Sequence, residues 1–243
     1  MTDMSLTKNE QFGQQSAMDV ARKLLSVSSA NGTIEYYKKL FKLPPLGPHI
    51  LEKYPEYSES FYHTYGFQQK AMRALREIQN GTTPTYTESD LLSDLQGTRG
   101  IEIHIINDPL FFKKEIDCTA FCQPVSFPRK AVLFLPSVNL LAQQYNVPHA
   151  DALKIFYWVV AHEGGHGADW LYDLKKYSKY EYAVLSEARQ QYVTMLCAFA
   201  SGYTDIAEEQ LKVVKWFLGD TTKKDLPIEQ PAANMLRHHS ASR

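Results

Sequence analysis

The sequence predicts a helix-rich α+β protein in which a small mixed sheet packs on long helices, and three observations carry that expectation. Apolar residues recur at helical spacing over most of the chain. A short central stretch changes to the two-residue period of strands. The hydrophobic fraction of 44% is enough for a packed core, and 12% aromatic residues remove the disordered and collagen-like classes. At 243 residues the chain stands at the upper end of what one domain holds.

The elements follow in order. Ser16 to Ser28 puts Met18, Ala21, Leu24 and Leu25 on one helical stripe, which Asn31-Gly32 stops. Thr33 to Lys42 makes a second short helix. The breaker Pro44-Pro45-Leu46-Gly47-Pro48 then marks an internal boundary. Glu56 to Gln79 reads as a longer helix with Phe61, Tyr65, Phe67, Met72, Leu75 and Ile78, and Ser89-Asp90 caps a short one to Leu95. Ile101 to Ile105 alternates apolar and polar, a strand with one buried face. Phe121 to Phe127 and Ala131 to Leu135 are two further strands. Helical pattern returns over Val138 to Gln144, Pro148 to Leu171, Glu181 to Ala200 and Asp205 to Leu218. The chain thus divides into a helical N-terminal extension over 1–46, a main domain over 47–220, and a flexible tail over 221–243 with few large apolar residues.

Charge narrows the partners. Lys plus Arg is 26 and Asp plus Glu is 27, a net charge of −1, and no basic run exceeds two residues. Neutralising a phosphate backbone needs a basic excess or stripe, so nucleic acid is not the expected partner. Three cysteines are too few for a disulfide-stapled scaffold, although Cys118 and Cys122, four apart, leave room for one bridge. Met1 to Gln15 lacks a signal-peptide core, and the longest apolar run, Ile155 to Ala161, is far below the roughly 20 residues of a membrane span. The expected location is the cytoplasm, or delivery as an effector without a signal peptide.

Chemistry is concentrated in Ala161-His162-Glu163-Gly164-Gly165-His166-Gly167, a His-Glu-x-x-His pattern. Residues four apart on a helix share a face, so His162 and His166 can hold one ion. Zinc suits them, because a catalytic zinc takes three protein ligands and keeps a fourth position for water. Glu163, about 100° further round the helix, is placed to take a proton from that water and return it to a leaving amine. With eight histidines and fifteen glutamates the pattern arises by chance roughly 0.02 times in such a chain. Gly164 and Gly165, each about 1 kcal/mol unfavourable inside a helix, would let another backbone pack close to the motif. The alternative is a pair of surface histidines on an amphipathic helix, which would have no use for those glycines.

The motif resembles the active-site helix of the zincin metalloproteases. Asp169 and Tyr172 stand where the metzincin branch has glycine and histidine, so the resemblance is to the gluzincins. These take a third ligand from a glutamate on a following helix, and Ser186-Glu187-Ala188-Arg189-Gln190-Gln191-Tyr192 supplies Glu187, with Glu181 and Asp173 in reserve. The continuation through Cys197-Ala198-Phe199-Ala200-Ser201-Gly202-Tyr203 also resembles the minigluzincins and the CAAX-processing proteases. The resemblance spans about Ile101 to Leu218 and implies a zincin-like catalytic domain, a bound Zn2+ and a protein or peptide substrate. Family members carry aspartate four residues after the ligand glutamate to orient a histidine. Here that position is Gln191, whose carbonyl could accept the imidazole N–H, and Asp169 could supply the missing carboxylate.

The resemblance further implies an edge strand that pairs with substrate, for which Ala131 to Leu135 is the candidate. It also implies an oxyanion-stabilising side chain, for which Tyr192, Tyr203, His238 and His239 qualify by type. Among the other histidines His104, on a strand, is the one of interest; His49, His63 and His149 read as structural or exposed. Two other readings remain. A deformylase-like amidohydrolase would take a cysteine ligand, Cys122 or Cys118, 40 or 44 residues before His162. A binding module would keep the fold without catalysis, leaving Glu163 without a task. The sequence leaves the oligomeric state open.

Overall fold

The computed structural model describes residue 19 and residues 61–99, 101–107, 120–123, 129–134, 138, 141–143, 145–169 and 179–219. The expected extension over 1–46, apart from the helical Asp19, and the tail over 221–243 lie outside these residues. Helix α1 runs Gly66–Gln79 and α2 runs Glu88–Arg99; strands β1 (Ile101–Ile106), β2 (Ala120–Gln123) and β3 (Arg129–Phe134) follow. A 3-10 turn at His149–Asp151 leads into α3 (Ala152–Asp169), and α4 (Lys179–Ala200) and α5 (Thr204–Leu218) complete the described chain. Of the Val138 to Gln144 helix, the described residues 138 and 141–143 are helical.

Two helix starts differ from the sequence expectation, each because a side chain captures the backbone. Helix α1 begins at Gly66 and not at Glu56, since Tyr65 is extended (φ −71°, ψ 156°). Its N–H donates to Gln68 Oε1 at 3.0 Å, half of a capping box that fixes where the first turn starts. Helix α2 is capped by Thr87 and not by Ser89. Asp90 N–H donates to Thr87 Oγ1 at 3.2 Å while Thr87 N–H donates to Asp90 Oδ2 at 2.8 Å. Gly202, at φ +83° between α4 and α5, needs the left-handed conformation, and a Cβ there would meet the Gln79 amide at 2.5 Å.

The three strands form one mixed sheet in the order β1-β3-β2. β1 lies parallel to β3 with Ile103 opposite Ala131, and β2 lies antiparallel with Cys122 opposite Ala131. This order corrects one expectation. Ala131 to Leu135 was the candidate for receiving a peptide at a sheet edge, but β3, which carries Ala131–Phe134, is hydrogen-bonded on both sides. Its backbone groups are already spent in the ladder.

Helix α3 packs on β2 and β3 on one side and on α1 and α4 on others. That enclosure explains why its sequence is apolar nearly all round, where a surface helix would show one stripe. Tyr157 and Ile155 are fully buried and Trp158 is 1% exposed, packed in one core with Leu75, Leu95 and Val193. Burying side chains of this size is worth about 1.5–3 kcal/mol each. The motif sits on the last turns of this largely buried helix. No helix among the described residues is long and apolar enough to cross a membrane.

Candidate metal centre

His162 and His166 project from one face of α3, and α4, which packs along α3, brings Glu187 to meet them. The two Nε2 atoms are 3.1 Å apart. His162 Nε2 lies 3.6 Å from Glu187 Oε1, and His166 Nε2 lies 3.2 Å from Glu187 Oε2. Ligands held about 2.0–2.1 Å from a tetrahedral zinc are about 3.3–3.4 Å from one another. These three separations, taken to one or the other oxygen of Glu187, bracket that value. Among the described residues these three are the group that could hold a metal ion.

Two hydroxyls set the chemistry of the rings. His166 Nδ1 lies 3.0 Å from Ser186 Oγ, and that hydroxyl donates its proton to Asp169 Oδ2 at 3.1 Å. His162 Nδ1 lies 3.0 Å from Thr194 Oγ1, which donates to the Gln190 carbonyl at 3.1 Å. Each hydroxyl has spent its proton on a group that only accepts, so each receives the ring Nδ1–H. Both Nε2 atoms are left as electron-pair donors, aimed at each other and at a carboxylate. Three such groups converge stably only around a cation, whether a proton or a divalent ion.

Burial acts on the cluster in opposite directions. It pushes His162 down to about 4, only partly offset by the charge of Glu187. It pushes Glu163 up to about 7, the range of a group that both takes and gives protons near neutrality. Burial also works against the charge of Glu187, but the hydrogen bond and charge of His166, with the charge of His162, outweigh it and hold the carboxyl at about 2. For His166, burial is outweighed by the hydrogen bond and charge of Glu187, and its pKa is raised. The two opposed shifts have one cause, the attraction between the Glu187 carboxylate and a charged ring at His166.

Around the cluster lies a buried polar layer. Asp169, 2% exposed, accepts from Ser186, from Tyr65 Oη at 2.9 Å, from Gln190 Nε2 and from Arg189 Nη1. Arg189, also 2% exposed, donates from Nη2 to the His63 carbonyl at 2.8 Å and lies 4.6 Å from the centre of the Tyr65 ring. Gln68 Nε2 bridges the Ala161 carbonyl at 3.0 Å and Gln190 Oε1 at 3.1 Å. Asp169 thus reaches His166 through Ser186 and not directly. Gln191 takes a different part from the one expected: it donates to Glu187 Oε1 at 3.1 Å and steadies the carboxylate, not a ring.

The motif glycines also need a corrected reason, since side chains and not a second backbone fill their space. A Cβ on Gly165 would fall 1.7 Å from Gln190 Oε1 and 2.6 Å from Gln68 Nε2. One on Gly164 would meet Leu95 Cδ2 at 2.7 Å. The Gln68–Gln190 pair exists because position 165 carries no side chain.

Other candidates fall elsewhere. The Tyr203 hydroxyl is committed to Asp151, eleven residues and about 16 Å along α3 from His162, so it is no oxyanion donor. Tyr192 packs edge-on against Tyr62, ring centres 5.2 Å apart, on the flank of α4. His104 is half-buried on β1 opposite Val132, His149 is exposed, and His63 contributes its carbonyl. Glu181 belongs to α4 six residues before Glu187, and Cys122 belongs to β2. His49, Cys118, Asp173, His238 and His239 lie outside the described residues.

Sequence reasoning missed Thr194, Gln190, Gln68, Arg189 and Tyr65, and passed over Ser186 as a flanking residue. A signal for part of this set was present: Glu187, Gln190, Gln191 and Thr194 stand at i, i+3, i+4 and i+7, a polar stripe on a largely buried helix. Compared with known proteins, the chain matches no family model, no curated protein and no solved structure. The reading of function therefore rests on the geometry of the centre.

Proposed function

We propose that the protein is a zinc-dependent metallopeptidase of zincin-like, gluzincin-like architecture acting on a protein or peptide substrate. The observation that carries this reading is the convergence of His162 Nε2, His166 Nε2 and the Glu187 carboxylate at spacings that suit a tetrahedral ion. These three would hold the zinc. When bound, it supplies Lewis acidity, making water a nucleophile near neutral pH and polarising a carbonyl. Glu163, next to His162 in the helix, would take the proton from the attacking water and return it to the leaving amine nitrogen. Thr194, Ser186 and Gln191 hold the ligands in place.

A peptide substrate accords with the sheet. β2 packs against α3 and, among the described residues, has no partner on its outer side, so it replaces β3 as the strand available for pairing. Glu187 in third place favours a peptidase over a deformylase-like enzyme with a cysteine ligand. A half-buried Glu163 beside the cluster favours catalysis over a binding module.

The test is zinc content followed by comparison of wild type with Glu163→Gln on a whole-proteome substrate mixture. One zinc per chain in both proteins, with new peptide termini produced by the wild type alone, is the expected result. Full zinc occupancy with no difference in cleavage overturns the peptidase reading.

A further inference from the structure

The two histidines are supported unequally. The chain from His162 runs through the Thr194 hydroxyl and ends on the Gln190 carbonyl, a neutral group in the same helix. The chain from His166 runs through the Ser186 hydroxyl and ends on Asp169, a buried carboxylate. Asp169 cannot swing away, because Tyr65, Arg189 and Gln190 all donate to it. A carboxylate at the end of such a chain polarises the hydroxyl and, through it, the ring, raising the ring's basicity as a ligand. A direct aspartate–histidine contact would do this in one step. Here the serine, 5% exposed, carries it in two.

We infer that Ser186 is a positioning residue that fixes His166 in its Nδ1–H form and transmits the charge of Asp169 to it, making His166 the anchoring ligand of the two histidines. The inference rests on the metal reading and assigns Ser186 no contact with substrate. Two consequences distinguish it from general structural support. The hydroxyl itself is required, so threonine at 186 should serve where alanine does not. The effect should also fall on the metal's electronic environment and not only on the stability of α4.

The experiment measures zinc affinity by chelator competition, the visible spectrum of the cobalt-substituted protein, and the melting temperature of the zinc-free form. It does so for wild type, Ser186→Ala, Ser186→Thr and Thr194→Ala. Ser186→Ala should weaken zinc binding by about 10- to 100-fold, the range found for outer partners of metal ligands. It should also shift the cobalt bands, and Ser186→Thr should restore both. Thr194→Ala, whose chain ends on a neutral carbonyl, should weaken binding by a smaller factor. Wild-type affinity and spectrum in Ser186→Ala would overturn the inference while leaving the metal reading intact. So would equal losses in the two alanine variants, or a loss that follows melting temperature alone. A wild type that binds neither metal overturns the metal reading and this inference with it.

Discussion

The two ends of α3 invite comparison, because each buries a polar network and only one of them is complete. At the N-terminal end Lys154, 4% exposed, spends its three ammonium donors on Gln79 Oε1 at 2.7 Å, Asp151 Oδ2 at 3.1 Å and the Ser201 carbonyl at 3.4 Å. Trp158 Nε1 donates to Ser201 Oγ at 2.9 Å, and that hydroxyl donates to the Cys197 carbonyl at 2.7 Å. Donors and acceptors cancel there. At the C-terminal end the outer layer is paired except at Arg189 Nε, which is buried without a partner, and its hydroxyls leave two ring Nε2 acceptors facing each other and the Glu187 carboxylate. A buried network that balances is structural; one built to leave a surplus of a single kind is a site for the missing charge.

The sharpest way to break this contrast is to exchange the consequences of damage at its two ends. Glu187→Ala should reduce zinc affinity by more than the roughly 100-fold that outer partners reach, while the zinc-free protein melts near the wild-type temperature. Competition with a chromogenic chelator reads the first and calorimetry the second. Unchanged affinity would remove Glu187 from the ligand set.

Lys154→Met should do the reverse. It strips the cation from three acceptors and should cost about 3 kcal/mol, the low end for breaking a buried pair, because Asp151 keeps part of its water. Urea unfolding with zinc stoichiometry measured in parallel checks this. A loss of zinc with little loss of stability would show the two ends to be alike.

The smallest effect concerns pH at the balanced end. Burial raises Asp151, but hydrogen bonds from Tyr203 and Lys154 and the Lys154 charge outweigh it, and its pKa is lowered. A carboxyl depressed on folding adds stability above its unfolded pKa, and that contribution disappears as pH falls through the folded value. Asp151 is only partly buried, so the contribution is below about 1 kcal/mol. Asp151→Asn should flatten the acid side of the stability curve by that amount, and an unaltered acid limb would show the pairing to be idle.

The legibility of these features in the sequence follows a physical division. Among the described residues periodicity gave most helix and strand bounds to within a few residues, since it reflects which face meets the core, but it missed the start of α1 by ten. Helical spacing alone put His162, Glu163 and His166 together, whereas Glu187 was singled out only by the resemblance to the gluzincins, which take a third ligand from a following helix. Sheet order was not readable: a strong apolar run such as Ala131–Phe134 looks the same at an edge as at the centre, and pairing partners are chosen by tertiary packing. The parts of Ser186, Thr194, Gln190, Gln68 and Arg189 were hidden for a similar reason. A hydroxyl, amide or guanidinium reveals its role only when the acceptor it meets, up to 126 residues away for Arg189 and the His63 carbonyl, is in place. Gly165 was visible as an anomaly, yet its cause lay in Gln190 on another helix.

The placement of the proposed ligands on two helices, α3 and α4, has a mechanical consequence. Twenty residues separate His166 from Glu187, so an ion held by both would staple that segment into a loop. By the chain-entropy relation for a cross-link of this size, the staple is worth about 3 kcal/mol against the unfolded chain. Occupancy would then govern how long α4 stays docked on α3, and with it how quickly this protein is itself digested.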